Sequence, residues 1–182
     1  NNAFTNNDIT NYYLTIPAHQ VETAFWLESD RMLSLAFSEK SLEVQRNVVI
    51  EEFRQRYLNQ PYGDAWLNLR PLSYKVHPYR WPTIGMEISH IENAQLEDVK
   101  SFFKKFYHPG NAILALSGNI TVGQARQLSE KWFGPIPSGN KPAENWTMEP
   151  IQTQARRMEQ SARVPHFALY KAWHCSSRKD PQ

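Results

Sequence analysis

The sequence predicts an α+β fold, a mixed and largely antiparallel sheet packed against helices. Three observations predict it. Tyr12, Leu14 and Ile16 alternate with Tyr13 and Thr15, the period of a half-buried strand. Longer stretches between such segments place their apolar residues at helical spacing. Strands and helices also come in mixed order, which favours antiparallel pairing over a parallel βαβ sheet. The 182 residues, 41% apolar and 21% charged, fit one globular domain over 1–182 with a sizeable core.

The first strand covers 10–16 and ends at Pro17. Val21, Ala24, Phe25, Met32, Leu35 and Ala36 then predict a helix over about 18–37. Ser38 or Ser41 caps a second helix, SLEVQRNVVIEEFRQRYL, which stops before Asn59-Gln60-Pro61-Tyr62-Gly63. Residues 59–92 are rich in Pro and aromatics and read as an ordered loop, with a short helix over Asp64–Leu72. Asn93 is the expected cap of AQLEDVKSFFKKFY, whose Leu96, Val99, Phe102, Phe103 and Phe106 make an apolar face. NAILALSG reads as a buried strand, Thr121 as the cap of a helix through Trp132-Phe133, and RVPHFALYKAWH as an alternating strand.

Charge and composition exclude several classes. A net charge of +2 gives no electrostatic reason to expect a nucleic acid, despite a pI of 8.7. Lys104-Lys105 and Arg156-Arg157 read as solvated faces. No apolar run approaches the length of a membrane span. The single cysteine, Cys175, excludes an internal disulfide and a Cys-based zinc knuckle, and it is silent on compartment.

The chemistry concentrates in Gln45-Arg46-Asn47-Val48-Val49-Ile50-Glu51-Glu52-Phe53. With Val49 at zero on a helical wheel, Phe53 falls at about +40°, Val48 at about −100° and Glu52 at about −60°. Glu51 falls at about 200°, on the far side. Glu52 thus points with the apolar stripe, and a carboxylate so placed needs a partner. Arg56, one turn on, offers an i,i+4 ion pair. A metal ion is the other way to satisfy it. Of the histidines, His108 reads as a helix-end residue, and His77 and His90 flank the aromatic loop.

The chain resembles the pitrilysin/insulinase-type (M16) zinc metallopeptidases, the group that includes mitochondrial processing peptidase. The matching pieces, in order, are Asn2-Ala3-Phe4-Thr5 with Thr10-Asn11-Tyr12-Tyr13, and Glu28-Ser29-Asp30-Arg31-Met32. Arg46 to Glu52 follows, similar to the family's E-R-x-V-V-x-E-E, then His77-Pro78-Tyr79-Arg80-Trp81-Pro82-Thr83-Ile84-Gly85. Tyr107-x-Pro109-x-Asn111 and Leu116-Ser117-Gly118-Asn119 complete the series.

The resemblance implies a truncated LuxS/MPP-like metallohydrolase fold, incomplete at the N-terminus and at the C-terminus. It implies a zinc endopeptidase in which an inverted H-x-x-E-H supplies two ligands and the general base, and a distal Glu the third. That Glu lands on Glu52, with Glu51 and Arg56 supporting it; Gln45 stands where the family has Glu. None of the six histidines lies in H-x-x-E-H, so the resemblance places that motif, and the general base, upstream of Asn1. A catalytic zinc needs three protein ligands, so the stretch alone is expected to be inactive. The family's substrate peptide adds as a strand, which assigns Asn2, Ala3 and Phe4 to substrate contact. The expected partners are a peptide, a second M16-like half or subunit, and a second copy through the exposed strand edge. The alternative is a non-catalytic subunit of the same fold.

Overall fold

The computed structural model describes residues 1–33, 35–143 and 145–176. By their contacts they form two compact units, Asn1–Glu43 with Ala94–Glu144, and Val44–Asn93 with Asn145–Gln182.

The first unit opens with a hairpin of β1 (Asn2–Thr5) and β2 (Thr10–Tyr13). They pair antiparallel from Asn2↔Tyr13 to Thr5↔Thr10. Asn6-Asn7-Asp8-Ile9 makes the turn, closed by Asn6 N–H to the Ile9 carbonyl at 3.0 Å. The Asn6 side chain accepts from the N–H groups of Asp8 and Ile9, an Asx arrangement suited to tight turns. The strand expected over 10–16 covers Thr10–Tyr13, and its last pair is Tyr13 with Asn2.

Helix α1 (Val21–Leu33) follows a single 3-10 turn at Ala18–Gln20. It is shorter than the expected 18–37: Ser38 leaves the helical path to cap the next helix, and Ser34 lies outside the described residues. Phe25 is buried and meets Phe133 of α6 (Val122–Phe133) with ring centroids 6.4 Å apart. The rim of that contact is polar: the Glu22 carboxylate accepts from Lys131 Nζ and from Trp132 Nε1. Thr121 caps α6 as expected, in a reciprocal box with Gln124 (3.2 and 3.0 Å).

Helix α5 (Leu96–Phe106) starts differently from the expectation. Its cap is Gln95, whose N–H donates to Asp98 at 2.9 Å, because Asn93 is spent closing the short helix α4 (Ile88–Glu92) of the second unit. The α5 aromatics reach outward, Phe103 meeting Phe37 edge-on at 5.2 Å. Beyond it, His108 is buried and its Nε2 lies 3.2 Å from the Lys105 carbonyl. Gly139, at φ +63, passes so close that an added Cβ would lie 2.6 Å from the His108 ring. Only glycine satisfies both demands there.

Helix α2 (Glu39–Phe53) carries the chain into the second unit. Ser38 is the cap: its hydroxyl accepts from Ser41 N–H, and Ser41 returns the bond to Ser38 N–H, each at 3.1 Å. Within the second unit α2 buries Ile50 and Phe53. It then widens into a π turn, Arg54–Leu58, closed by Asn59 N–H to the Arg54 carbonyl. Helix α3 (Ala65–Ser73) matches the short helix expected there, one residue displaced. The aromatic loop after it contains a 3-10 turn at Pro78–Arg80.

The sheet is smaller than the sequence predicts. Among the described residues it consists of β1 and β2 alone. NAILALSG and RVPHFALYKAWH form no ladder: Ile113 is 96% exposed, and Phe167 and Trp173 face solvent. Alternation prepares a segment to be a strand, but a strand exists only with a neighbour to bond. The result is an α+β unit pair dominated by helix.

Candidate functional site

The outer edge of β1 pairs with no other strand among the described residues. Asn6 and Ile9 form a hydrogen-bonded pair, so the antiparallel alternation makes Thr5/Thr10 and Ala3/Tyr12 non-bonded pairs. The backbone N–H and C=O of Ala3 and Thr5 therefore point away from β2. Two contacts agree with that phase. Ala3 N–H is taken by Asn2 Oδ1 at 2.8 Å, and the Thr5 and Thr10 hydroxyls approach to 3.3 Å, as side chains of a non-bonded pair do. All four β1 residues are exposed. Asn2 and Phe4 turn their backbone groups to β2, so what they offer outward is side chain: an amide and an apolar ring.

Behind the edge, Tyr12 anchors the hairpin to α5 and α1. Its hydroxyl lies 2.6 Å from that of Tyr107, and the Arg31 guanidinium sits 4.2 Å from the centre of its ring. Arg31 is itself fixed by Glu28, Nε to carboxylate at 3.0 Å. Burial, and then the hydrogen bond shared with Tyr12, push the Tyr107 phenol well above its ordinary range. Sequence reasoning read Tyr12 and Tyr13 as alternating strand residues and missed this cluster. Tyr12, Arg31 and Tyr107 stand 19 and 76 residues apart, and only their shared membership of the matching pieces hinted at proximity.

Glu51, Glu52 and Arg56 lie in the second unit, at the end of α2 and in the π turn. Glu52 pairs with Arg56 at 3.3 Å, the i,i+4 partner the wheel offers. Glu51 pairs with Arg54, an i,i+3 neighbour not singled out in the sequence. Glu52 is the less exposed of the two, 44% against 57% of its side chain. The stripe itself is shifted from the wheel: Val48 is 56% exposed, and the buried line runs through Ile50 and Phe53. Glu52 sits beside that line rather than within it, so the ion pair with Arg56 is a solvent-screened one.

A zinc centre needs convergent ligands. Among the described residues no three His, Cys, Asp or Glu side chains are placed to hold a metal ion. No described helix is long and apolar enough to cross a membrane.

Residues 93–182 match the family model described as the peptidase M16 inactive domain. The chain is 32% identical over 157 residues to the zinc protease PqqE of Helicobacter pylori, across 85% of this chain and 35% of that protein. It is 23% identical over 144 residues to the beta subunit of the mitochondrial-processing peptidase of Caenorhabditis elegans, across 79% and 31%. The crystal structure of a protease from Helicobacter pylori matches with a TM-score of 0.71 at 31% identity, over 82% of this chain and 35% of that one. The first half of the periplasmic protease PqqL from Escherichia coli gives 0.67 at 21% identity, over 84% and 32%, a likeness of fold alone. This chain belongs to the M16 peptidase family. It spans about a third of the length of the curated relatives it matches.

Proposed function

We propose that this chain is an incomplete stretch of a zinc metalloendopeptidase that hydrolyses peptide bonds of peptides or unfolded proteins through a zinc-activated water. The observation that carries the reading is the 32% identity to a zinc protease across 85% of the chain. Glu52 is the ligand this stretch contributes, and residues outside it supply the other two and the general base. Arg56 holds one Glu52 oxygen at 3.3 Å, which orients the carboxylate while leaving its other oxygen free. Glu51 is occupied by Arg54 and stays out of the ligand set.

The hairpin edge supports the substrate role. An extended peptide bonds to the backbone of Ala3 and Thr5, while Asn2 and Phe4 contact its side chains and flanking amides. Asn2 Oδ1 now holds the Ala3 N–H, so it must release that donor for the peptide. A second M16-like half or subunit completes the assembly, and the open edge also permits self-pairing.

A second reading is a non-catalytic subunit of the same fold, acting in substrate binding or as a structural partner. The description of the matching model over 93–182 as an inactive domain favours it. Assay of the intact protein on an unstructured peptide separates the two. Hydrolysis abolished by a chelator and restored by zinc is the expected outcome. Peptide binding without hydrolysis, zinc supplied, overturns the catalytic reading in favour of the second.

A further inference from the structure

In the second unit, three consecutive backbone N–H groups converge on one carboxylate. Lys75 N–H donates to Glu149 Oε1 at 2.7 Å, and Val76 and His77 donate to Oε2 at 2.9 and 3.0 Å. Successive N–H groups aimed at one point form an anion-binding concavity. The side of the contact that donates is braced without Glu149. Arg80 Nη1 donates to the Lys75 carbonyl at 3.0 Å, Lys75 Nζ to the Pro71 carbonyl at 2.8 Å, and Tyr79 N–H to His77 Nδ1 at 3.2 Å.

The occupant is held differently. Glu149 reaches the site from more than seventy residues away, on a stretch with no helix or strand. Its neighbours Met148 and Ile151 are 83% and 91% exposed, so apolar burial does not hold it there. The charge-assisted bonds do. Burial alone would raise the Glu149 pKa, but the N–H groups of His77, Val76 and Lys75, and nearby Arg156, outweigh it and bring it down to about 2. Lys75 and Val76 are exposed, so another carboxylate can approach. Tyr74, stacked on His174 at 4.9 Å, and His77, edge-on to Tyr79 at 4.4 Å, give an aromatic wall beside the site for neighbouring peptide atoms.

We propose that the N–H groups of Lys75, Val76 and His77 form a binding site for a peptide carboxylate, which Glu149 fills from the same chain. An acidic side chain and a free C-terminus share the required chemistry. The site needs neither metal nor hydrolysis, so it stands apart from the peptidase reading and fails separately from it.

Calorimetric titration of the full chain tests the proposal with three unstructured peptides: one with a single Glu and blocked ends, one with Gln and a free C-terminus, and one with Gln and blocked ends. Removing the internal competitor in Glu149→Ala is expected to tighten binding of the first or second peptide by about tenfold. Hydrogen exchange of the Lys75, Val76 and His77 amides then slows when that peptide is bound. Which of the two binds identifies the source of the carboxylate. If Glu149→Ala does not fold, Glu149→Gln, which keeps an acceptor and loses the charge, decides by the same comparison. No gain over the unsubstituted chain, or equal binding of the third peptide, overturns the proposal.

Discussion

Tyr12 and Tyr107 meet through their hydroxyls at 2.6 Å, and this contact ties the candidate substrate edge to a helix. Tyr107→Phe removes one partner and is expected to lower stability by about 1 kcal/mol, read from denaturant unfolding. Tyr12→Phe should cost a similar amount and the double variant little more, since both remove the same bond. Additive losses would show that the pair is not coupled. Glu149 predicts a pH dependence. Its folded pKa of about 2 lies below the ordinary carboxyl value of 4.5, so its ionised contacts stabilise fully above that higher value. The contribution falls away between the two as protons bind. The melting temperature of Glu149→Ala should lie below that of the unsubstituted chain near neutrality and converge with it near pH 2. A constant gap across that range would count against the three N–H contacts. At this scale the sequence is legible only where partners are near in the chain. Arg56 beside Glu52 follows from helical spacing, whereas nothing near Glu149 signals its three donors, which lie more than seventy residues away.

Elements were legible to different degrees, for physical reasons. Helices α1, α2, α5 and α6 carry their information locally, in apolar spacing and caps, and Thr121-x-x-Gln124 marks its start by sequence alone. Strands do not. Residues 111–118 and 163–174 alternate or run apolar as strands would, yet a ladder needs a neighbour, and no local pattern names it. Competition for caps also escapes a local reading: Asn93 is the expected cap of α5, but it closes α4, and Gln95 caps α5 instead. The π turn after Glu52 left no sequence signal except the glycine that seats it. A Cβ at Gly63 would lie 2.8 Å from the carbonyl oxygens of both Arg56 and Tyr57. Gly63→Ala must therefore move backbone, and it is expected to destabilise by about 1–3 kcal/mol in thermal or denaturant unfolding. An unchanged midpoint would mean that the turn does not depend on this close approach.

For the whole molecule, the M16 family assignment covers a chain of two units: the first holds the β1–β2 hairpin, and the second the end of α2, where Glu51 and Glu52 take different arginine partners. The motif order in the sequence was sufficient to name the family, because the pieces are short and follow one another in the same order along the chain. Its metal chemistry does not show in the fold: a centre needs three convergent ligands, and among the described residues no three His, Cys, Asp or Glu side chains are placed to hold a metal ion. The central claim is that Glu52, and not Glu51, serves the zinc of the intact protein. Elemental analysis of zinc per chain in the intact Glu52→Gln and Glu51→Gln proteins tests it most directly. The account predicts that Glu52→Gln loses its zinc while Glu51→Gln keeps most of it; equal loss in both, or zinc retained by Glu52→Gln, would contradict it.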